Sequence, residues 1–477
     1  MSSFTLLKNV YDYVLSAFSS LTIDHQKQLD FEQRQRDNIG RLPNEVLMDI
    51  TKHLSGGDCA RCMYVCKSWF ARFFGVTYNQ IEFTDRHQIQ SFNWIVQYAA
   101  TQFPDVTILT VSVAKVAFKG NALSCERVNG FSDFWKIINV CQNIVTLTIS
   151  WQQLYLFVGV RKNRILQHLG QLRHLHIRKV AMPYPQPWSV SVPQFPVYSR
   201  YATSTSSSST FIEQWKYIQQ LVNHTPMLES LTVAFNNGSR WVSEENLDTI
   251  SRLCSHLQHL HLENAALFVA GEIAHGRVSE QQRLYSAEQM KLQHLHLKKP
   301  VFYNSQQLNS FYRYLTHAYS KLSTLTMYEV RLLNETPSAS ITDSTTATSA
   351  WTTDLKQLTV KGIRTEEVSS FCDMMIREIG LNSSFTQLNI GGAYKNPRKV
   401  RTITVDVAWI LQACPHLRLL TMSYVALYCS GEQGDDLSLR NASGCLFRQG
   451  DIFNHLALER QSSTSAWQVQ SSNQLSK

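Results

Sequence analysis

The sequence predicts an α/β chain: an N-terminal helical module followed by a solenoid in which helices alternate with short parallel strands. Three observations predict it. A pattern apolar-x-x-Leu-x-apolar recurs ten times beyond residue 100, and a helical stretch precedes most copies. Near residue 50 a short hairpin of helices carries more apolar surface than so small a unit can bury by itself.

The first element in chain order is an amphipathic helix. Leu7, Val10, Val14, Phe18 and Leu21 recur at spacings of three and four, which places them on one face. This helix and a linker, residues 1–38, are expected to pack on the module or the first repeat. Lys8 alone on the polar face is too little charge for a membrane-surface helix.

The helical module opens with Leu42-Pro43-Asn44-Glu45-Val46-Leu47-Met48-Asp49-Ile50. Pro43 suits a first helical turn, where its missing N–H would have had no intrahelical partner. Val46, Leu47, Ile50 and Leu54 fall on one face, and Gly56-Gly57 is expected to end the run. Asp58 is then the expected N-cap of a second helix carrying Cys62, Met63, Val65, Cys66, Trp69, Phe70 and Phe73.

Residues 39–83 resemble an F-box, whose pattern is a Leu-Pro-x-Glu opening, a Leu/Ile stripe and a Val-Cys-x-x-Trp element. Thr51, Phe70 and the two glycines depart from it. The resemblance implies docking on the Skp-type adaptor of an SCF-type cullin-RING ubiquitin ligase and, through it, on the cullin and RING subunits. It places Leu42, Pro43, Glu45, Val46, Leu47, Ile50 and Leu54 against the adaptor. Val65, Cys66 and Trp69 would lie near that interface or hold the helices together. A hairpin that packs only within its own chain is the alternative reading.

The repeat occupies residues 84–429. Its copies are Val106-Leu109-Val111, Ile144-Leu147-Ile149, Leu172-Leu175-Ile177, Leu228-Leu231-Val233, Leu257-Leu260-Leu262, Leu292-Leu295-Leu297, Leu322-Leu325-Met327, Leu355-Leu358-Val360, Phe385-Leu388-Ile390 and Leu417-Leu420-Met422. Successive first positions are 38, 28, 56, 29, 35, 30, 33, 30 and 32 residues apart, and the 56 is two intervals of 28. That long gap holds Pro183, Pro185, Pro187, Pro193 and Pro196 and then Ser204–Thr210, so residues 182–210 read as an inserted or degenerate repeat. Asn334–Asp354 is a second low-complexity insert. Helices are expected over Ser91–Ala100, Phe131–Cys141, Phe211–Asn223, Glu244–Cys254, Leu308–Tyr319, Val368–Ile379 and Val407–Cys414. One helix and one strand per period of about 30 residues is the signature of a leucine-rich repeat.

In such a repeat the leucines point into the solenoid, and the intervening residues line a parallel sheet on its concave face. The usual Asn or Cys after the strand is mostly missing, although Asn236 fits. The middle outward position is polar in every copy: Thr110, Thr148, His176, Thr232, His261, His296, Thr326, Thr359, Asn389 and Thr421. The position two earlier adds His174, His259 and His294. If the copies at 257 and 292 are neighbours, strands about 4.8 Å apart bring His259, His261, His294 and His296 into one patch. Three readings stand for it: a metal site, which would need carboxylates to orient the rings; a pH-sensitive or phosphate-recognising surface; or solvated residues carried along in duplicated Leu-Gln-His-Leu-His-Leu units. As a target-binding surface, the face offers His174, His176, His259, His261, His294, His296, Thr326, Thr359 and Asn389.

The 477 residues, 44% hydrophobic and 17% charged, suffice for several domains or one long repeat array. No run of about 18 apolar residues suggests a transmembrane segment, and no secretory signal is read at the N-terminus. Ten scattered cysteines fit reduced, buried thiols of the cytosol or nucleus. Cys59, Cys62 and Cys66 lack a second pair at zinc-finger spacing, so no metal or other cofactor is expected. The net charge of +9 is dispersed. Its densest cluster, Lys395, Arg398, Lys399 and Arg401, has no interleaved aromatic residues, so no nucleic-acid partner is expected. From Ser430 onward Gly, Ser, Gln and Asn dominate, which predicts a largely disordered tail with one short helix at Asp451–Glu459. Phosphate-cradling, nucleophile-elbow and zinc-protease motifs are missing, so an adaptor is expected rather than an enzyme. The function read from the sequence is that of a ubiquitin-ligase substrate receptor; the alternative is a leucine-rich-repeat scaffold outside any ligase.

Overall fold

The computed structural model describes residues 44–63, 69–70, 73–74, 77–102, 113–118, 137–139, 141, 143–151, 153–154, 167–179, 209–235, 240–269, 291–333, 355–364, 366–394, 400–428, 452–461 and 467–474. The chain divides into two compact units, Met1–Ala181 and Met182–Lys477. The expected N-terminal helix and linker (residues 1–38), the expected first repeat copy at 106–111 and the expected inserts at 182–208 and 334–354 lie outside the described residues.

The first unit opens with α1 (Asn44–His53) and α2 (Gly56–Cys62). Ser55, not Asp58, is the N-cap of α2: its hydroxyl oxygen accepts from the Asp58 amide at 3.2 Å. Asp58 sits in the first turn, where its carboxylate accepts from the Ser55 hydroxyl at 2.6 Å and pairs with Arg61 at 2.9 Å. Gly56 and Gly57 therefore start the second helix instead of closing the first. The serine immediately ahead of them outcompetes the aspartate because its oxygen reaches an otherwise orphan N–H.

Past the module, aromatic rings carry the core onward. Trp69 lies 5.0 Å from Phe73 and Phe74 4.6 Å from Tyr78, with Phe92 5.8 Å beyond. Phe83 bridges Phe92 at 5.6 Å and Phe118 at 5.3 Å. These rings tie α3 (Arg86–Gln102) to β1 (Gln80–Phe83) and β2 (Lys115–Phe118). β3 (Thr146–Ser150) and β4 (His174–Arg178) continue the sheet, all parallel, in the order β1-β2-β3-β4. The first two strands carry no Leu-x-x-Leu signature, yet their alternating buried residues, Ile81 and Phe83, then Val116 and Phe118, do the same work.

The second unit is a ladder of parallel strands: β5 (Ser230–Ala234), β7 (His259–Glu263), β9 (His294–Lys298), β11 (Thr324–Tyr328), β13 (Gln357–Ile363), β14 (Gln387–Tyr394) and β17 (Leu419–Tyr428). Each strand meets its neighbour with the second leucine of one copy opposite that of the next, from Leu231 and Leu260 through Leu295, Leu325, Leu358 and Leu388 to Leu420. All seven are at most 2% exposed. A one-residue slip would turn every leucine into solvent, so burial fixes the register despite unequal spacing in sequence.

The helices between strands begin and end close to where the periodicity puts them: α4 (Ser209–Val222), α5 (Glu244–Leu253), α6 (Ser305–Ala318), α7 (Glu366–Ile379) and α8 (Val407–Ala413). Side chains at strand ends or loops set their starts. Ser243 and Asn246 form a reciprocal capping box on α5, while Asn304 and Asp406 accept from the third amides of α6 and α8 at 2.9 and 3.0 Å.

A second parallel sheet was not legible in the sequence. It comprises β6 (Arg240–Ser243), β8 (Ala265–Phe268), β10 (Val301–Phe302) and β12 (Arg331–Leu332), in the order β12-β10-β8-β6. Three of its strands follow directly on a ladder strand through a residue of positive φ: Asn264 (56°), Lys299 (54°) and Glu329 (53°). Their amides donate along the ladder, Asn264 to the Lys298 carbonyl at 2.8 Å, Lys299 to Tyr328 at 2.7 Å and Glu329 to Lys361 at 2.8 Å. The left-handed turn thus recurs in register and carries the chain out of the main sheet.

The expected helix at Asp451–Glu459 is a strand. β18 (Ile452–Glu459) pairs antiparallel with β17, and β19 (Gln468–Gln474) pairs antiparallel with β18. Phe453, Leu456, Ala457 and Leu458 share a spacing that also suits a helix, but the open edge of β17 offers unpaired backbone groups that a strand satisfies. β15 (Val400–Arg401) and β16 (Ile403–Asp406) complete the unit beside β14 and β17.

Candidate functional site

Two surfaces concentrate the candidate residues, one in each unit. In the first unit, α1 turns Glu45 and Val46 outward, and Val46 is 42% exposed, which is high for a β-branched apolar side chain. Ile50 and Leu54 are half-buried on the same helical stripe, and Thr51, beside them, is buried. Cys59 and Ala60 of α2 and its C-cap residue Met63 are buried. Trp69 is half-buried against Phe73. Leu42, Pro43, Val65 and Cys66, together with the side chain of Leu47, lie outside the described residues. The described part of the face is therefore a short stripe of apolar residues whose outer edge is left to solvent.

In the second unit the leucines of β5 to β17 are buried and the intervening side chains face the other way. The expected neighbourhood of the 257 and 292 copies is present: β7 and β9 pair with His259 opposite His294 and His261 opposite His296. His259 stacks face to face on His294 at 4.5 Å and 3°, while His261 is tilted against His296 at 4.1 Å and 35°. Tyr328 of β11 extends the row, 5.2 Å from His296. Together with Thr232, Thr324 and Thr326 the four rings line a hollow of about 350 Å³. Thr359 and Asn389 follow on β13 and β14, where the Asn389 amide donates to the Thr359 hydroxyl at 3.2 Å. His174 and His176 stand on β4, in the first unit.

Electrostatics on this face follow from burial. Burial, reinforced by Lys298, holds the His296 imidazole below its ordinary range, with Glu263 pulling the other way. Burial and then the neighbouring His259 lower His294. Burial also lowers His176, with Arg178 and His174 adding to it. Lys298 holds Glu263 at 3.2 Å. Among the described residues no group of three or more His, Cys, Asp and Glu side chains is arranged to hold a metal ion.

The third outward position of each strand escaped the sequence reading. It contributes Glu263, Lys298, Tyr328 and Lys361, in register on successive strands. The same two-residue alternation that singled out the histidines, continued one step further, would have found them. A second hollow, about 300 Å³, lies against α7, β16 and α8, where Arg377 stacks over Trp409 at 5.5 Å. Burial raises the Asp373 carboxyl there, opposed by Arg377 and helped by Asp406.

The architecture is a parallel leucine-rich-repeat ladder in a chain that also carries a helical docking module. Residues 39–74 match the F-box-like family model. Among curated proteins no sequence matches the chain. Solved structures to which the chain shows similarity include a TLR13–ssRNA13 complex, 10% identical with a TM-score of 0.30, aligned over 68% of this chain and 41% of that one. Another is the leucine-rich repeat domain of APL1B, 12% identical with a TM-score of 0.24, over 70% of this chain and 59% of that one. The chain thus spans about half the length of these neighbours. The chain thus joins an F-box-like segment to a ladder of repeated parallel strands.

Proposed function

We propose that the chain is the substrate-recognition subunit of an SCF-type cullin-RING ubiquitin ligase. Its F-box-like module docks on a Skp-type adaptor, and the polar face of the repeat sheet holds the target. The observation that carries this reading is the outward stripe on α1: Glu45 and the 42% exposed Val46, within the matched segment 39–74. An apolar side chain held out of its own core gains on docking what the fold left unburied. The chain itself is non-catalytic in this reading. It raises the local concentration of a target near the conjugating enzyme, which performs the transfer. Its place would be the cytosol or nucleus.

Co-purification tests it. Tagged wild-type chain should capture the Skp-type adaptor and the cullin, and a Leu42→Ala/Pro43→Ala/Leu47→Ala variant should lose both while its circular dichroism is unchanged. Failure of the wild type to capture either protein would leave a repeat scaffold outside any ligase as the better reading.

A further inference from the structure

We propose that the stacked histidine rungs of β7 and β9, with the threonine hydroxyls and Lys298 around them, form a site for one anionic group on an extended target segment, a phosphoryl or a carboxylate, and that binding takes up a proton. This rests on reading the polar sheet face as the surface that holds the target.

The geometry makes the site proton-sensitive. The His259 and His294 rings are nearly parallel with centroids 4.5 Å apart, and the His261 and His296 rings are tilted with centroids 4.1 Å apart, close packing that suits neutral imidazoles. Two imidazolium cations at those distances repel each other, and an anion bound beside them offsets that repulsion. The hollow that the rings line, about 350 Å³, has room for a tetrahedral or planar oxyanion. Thr232 on one side and Thr326 on the other line it, and each carries a hydroxyl able to donate to an oxyanion.

The surrounding charges favour an anion. Facing the rings are Glu263 on β7, Lys298 on β9, Tyr328 on β11 and, one strand further, Lys361 on β13, while β5 presents Ser230 and Thr232. The single carboxylate of this group is already held by Lys298. Without ligand, burial keeps His294 and His296 below the ordinary histidine range. An oxyanion reverses that balance, because an opposite charge against a ring favours its protonated form. A group whose pKa rises on binding gives its full contribution below the free-state value, and loses it as pH climbs through the bound-state value. With one proton taken up, affinity in that window falls about tenfold per pH unit.

The test uses the full-length chain with histidine Cε1–H resonances followed by NMR between about pH 5.5 and 8. Inorganic phosphate, succinate and sulfate are titrated separately. The charge of sulfate is constant over this range, which isolates the protein's own proton uptake, and the stronger of phosphate and succinate identifies the phosphoryl or the carboxylate as the preferred group. Expected are shifts at His259, His261, His294 and His296 with His416 unmoved, and sulfate affinity falling about tenfold or more from pH 6 to 7.5. A His261→Gln/His296→Gln variant should lose at least about tenfold in affinity at pH 6 with an unchanged melting temperature, and a His259→Gln/His294→Gln variant guards against a folding artefact. No shift with any anion, a pH-independent affinity, or undiminished binding by both variants would overturn the site. Adaptor capture is read in the same preparations: a chain that captures the adaptor and binds no anion refutes this site alone.

Discussion

The docking module and the repeat ladder use the same residue types to opposite ends. Along the ladder, Leu325, Leu358, Leu388 and Leu420 are wholly buried, each stacked on the leucine of the next strand. On α1, Val46 stands 42% exposed at the edge of its stripe. The ladder satisfies its apolar surface by repetition, since every copy is covered by its neighbours. The module has few copies of anything and leaves part of its surface uncovered. A buried leucine here reports folding, and the exposed valine is where the proposed docking can be tested.

The comparison breaks hardest in the ladder. Leu325→Ala should lower the unfolding free energy by about 2–5 kcal/mol, since it empties a site closed on both sides by strands, measurable by urea denaturation. Next is Tyr314→Phe. The Tyr314 hydroxyl donates to the Asp248 carboxylate at 2.5 Å, and its neighbour Tyr319 lies 3.3 Å away. The change leaves a partly buried carboxylate without that donor, for a loss of about 1–3 kcal/mol.

Stability against pH should fall at both ends. Burial first of all raises Tyr314 well above its ordinary range and pushes Tyr319 up to about 12. These groups ionise more readily unfolded than folded, so stability declines as pH climbs from about 10 towards 12. Conversely, His176, His294 and His296 bind protons more readily unfolded, so stability declines as pH falls below about 6.5. Melting temperatures measured across a buffer series check both slopes. The smallest effect on folding belongs to the module: Val46→Asp should move stability by no more than about 0.5 kcal/mol and yet abolish adaptor capture. A large loss of stability in that variant would place Val46 in the chain's own core and sink the docking reading.

Much of this was legible in the residues. Leu-x-x-Leu spacing located the seven ladder strands of the second unit, and apolar periodicity located α4 to α8, because each copy repeats one burial pattern. What failed has physical causes. β10 and β12 are two residues long, too short to show any period, and exist because the left-handed residues Lys299 and Glu329 aim the chain at them. β18 has a helix-like spacing and becomes a strand through the edge it meets. The histidine patch was legible because outward positions alternate strictly, whereas the ring distances and the burial behind the lowered His294 and His296 needed three dimensions. On the module, Leu42 and Pro43 carried the resemblance, while the exposure of Val46 could not be read from sequence.

The hairpin of β18 and β19 has a consequence for the molecule's company. A parallel ladder has no intrinsic end, since the last strand presents the same edge as every one before it, and copies meeting head to tail through such edges would grow into fibres. By running antiparallel to β17, β18 changes the hydrogen-bond pattern that any newcomer must match. The register shifts at Phe453/His455 and Ala457/Leu458 bend the strand, and β19 covers it with glutamine, serine and asparagine. The hairpin is a chain terminator in the polymer sense, keeping a repeat that could add units indefinitely a discrete, finite molecule.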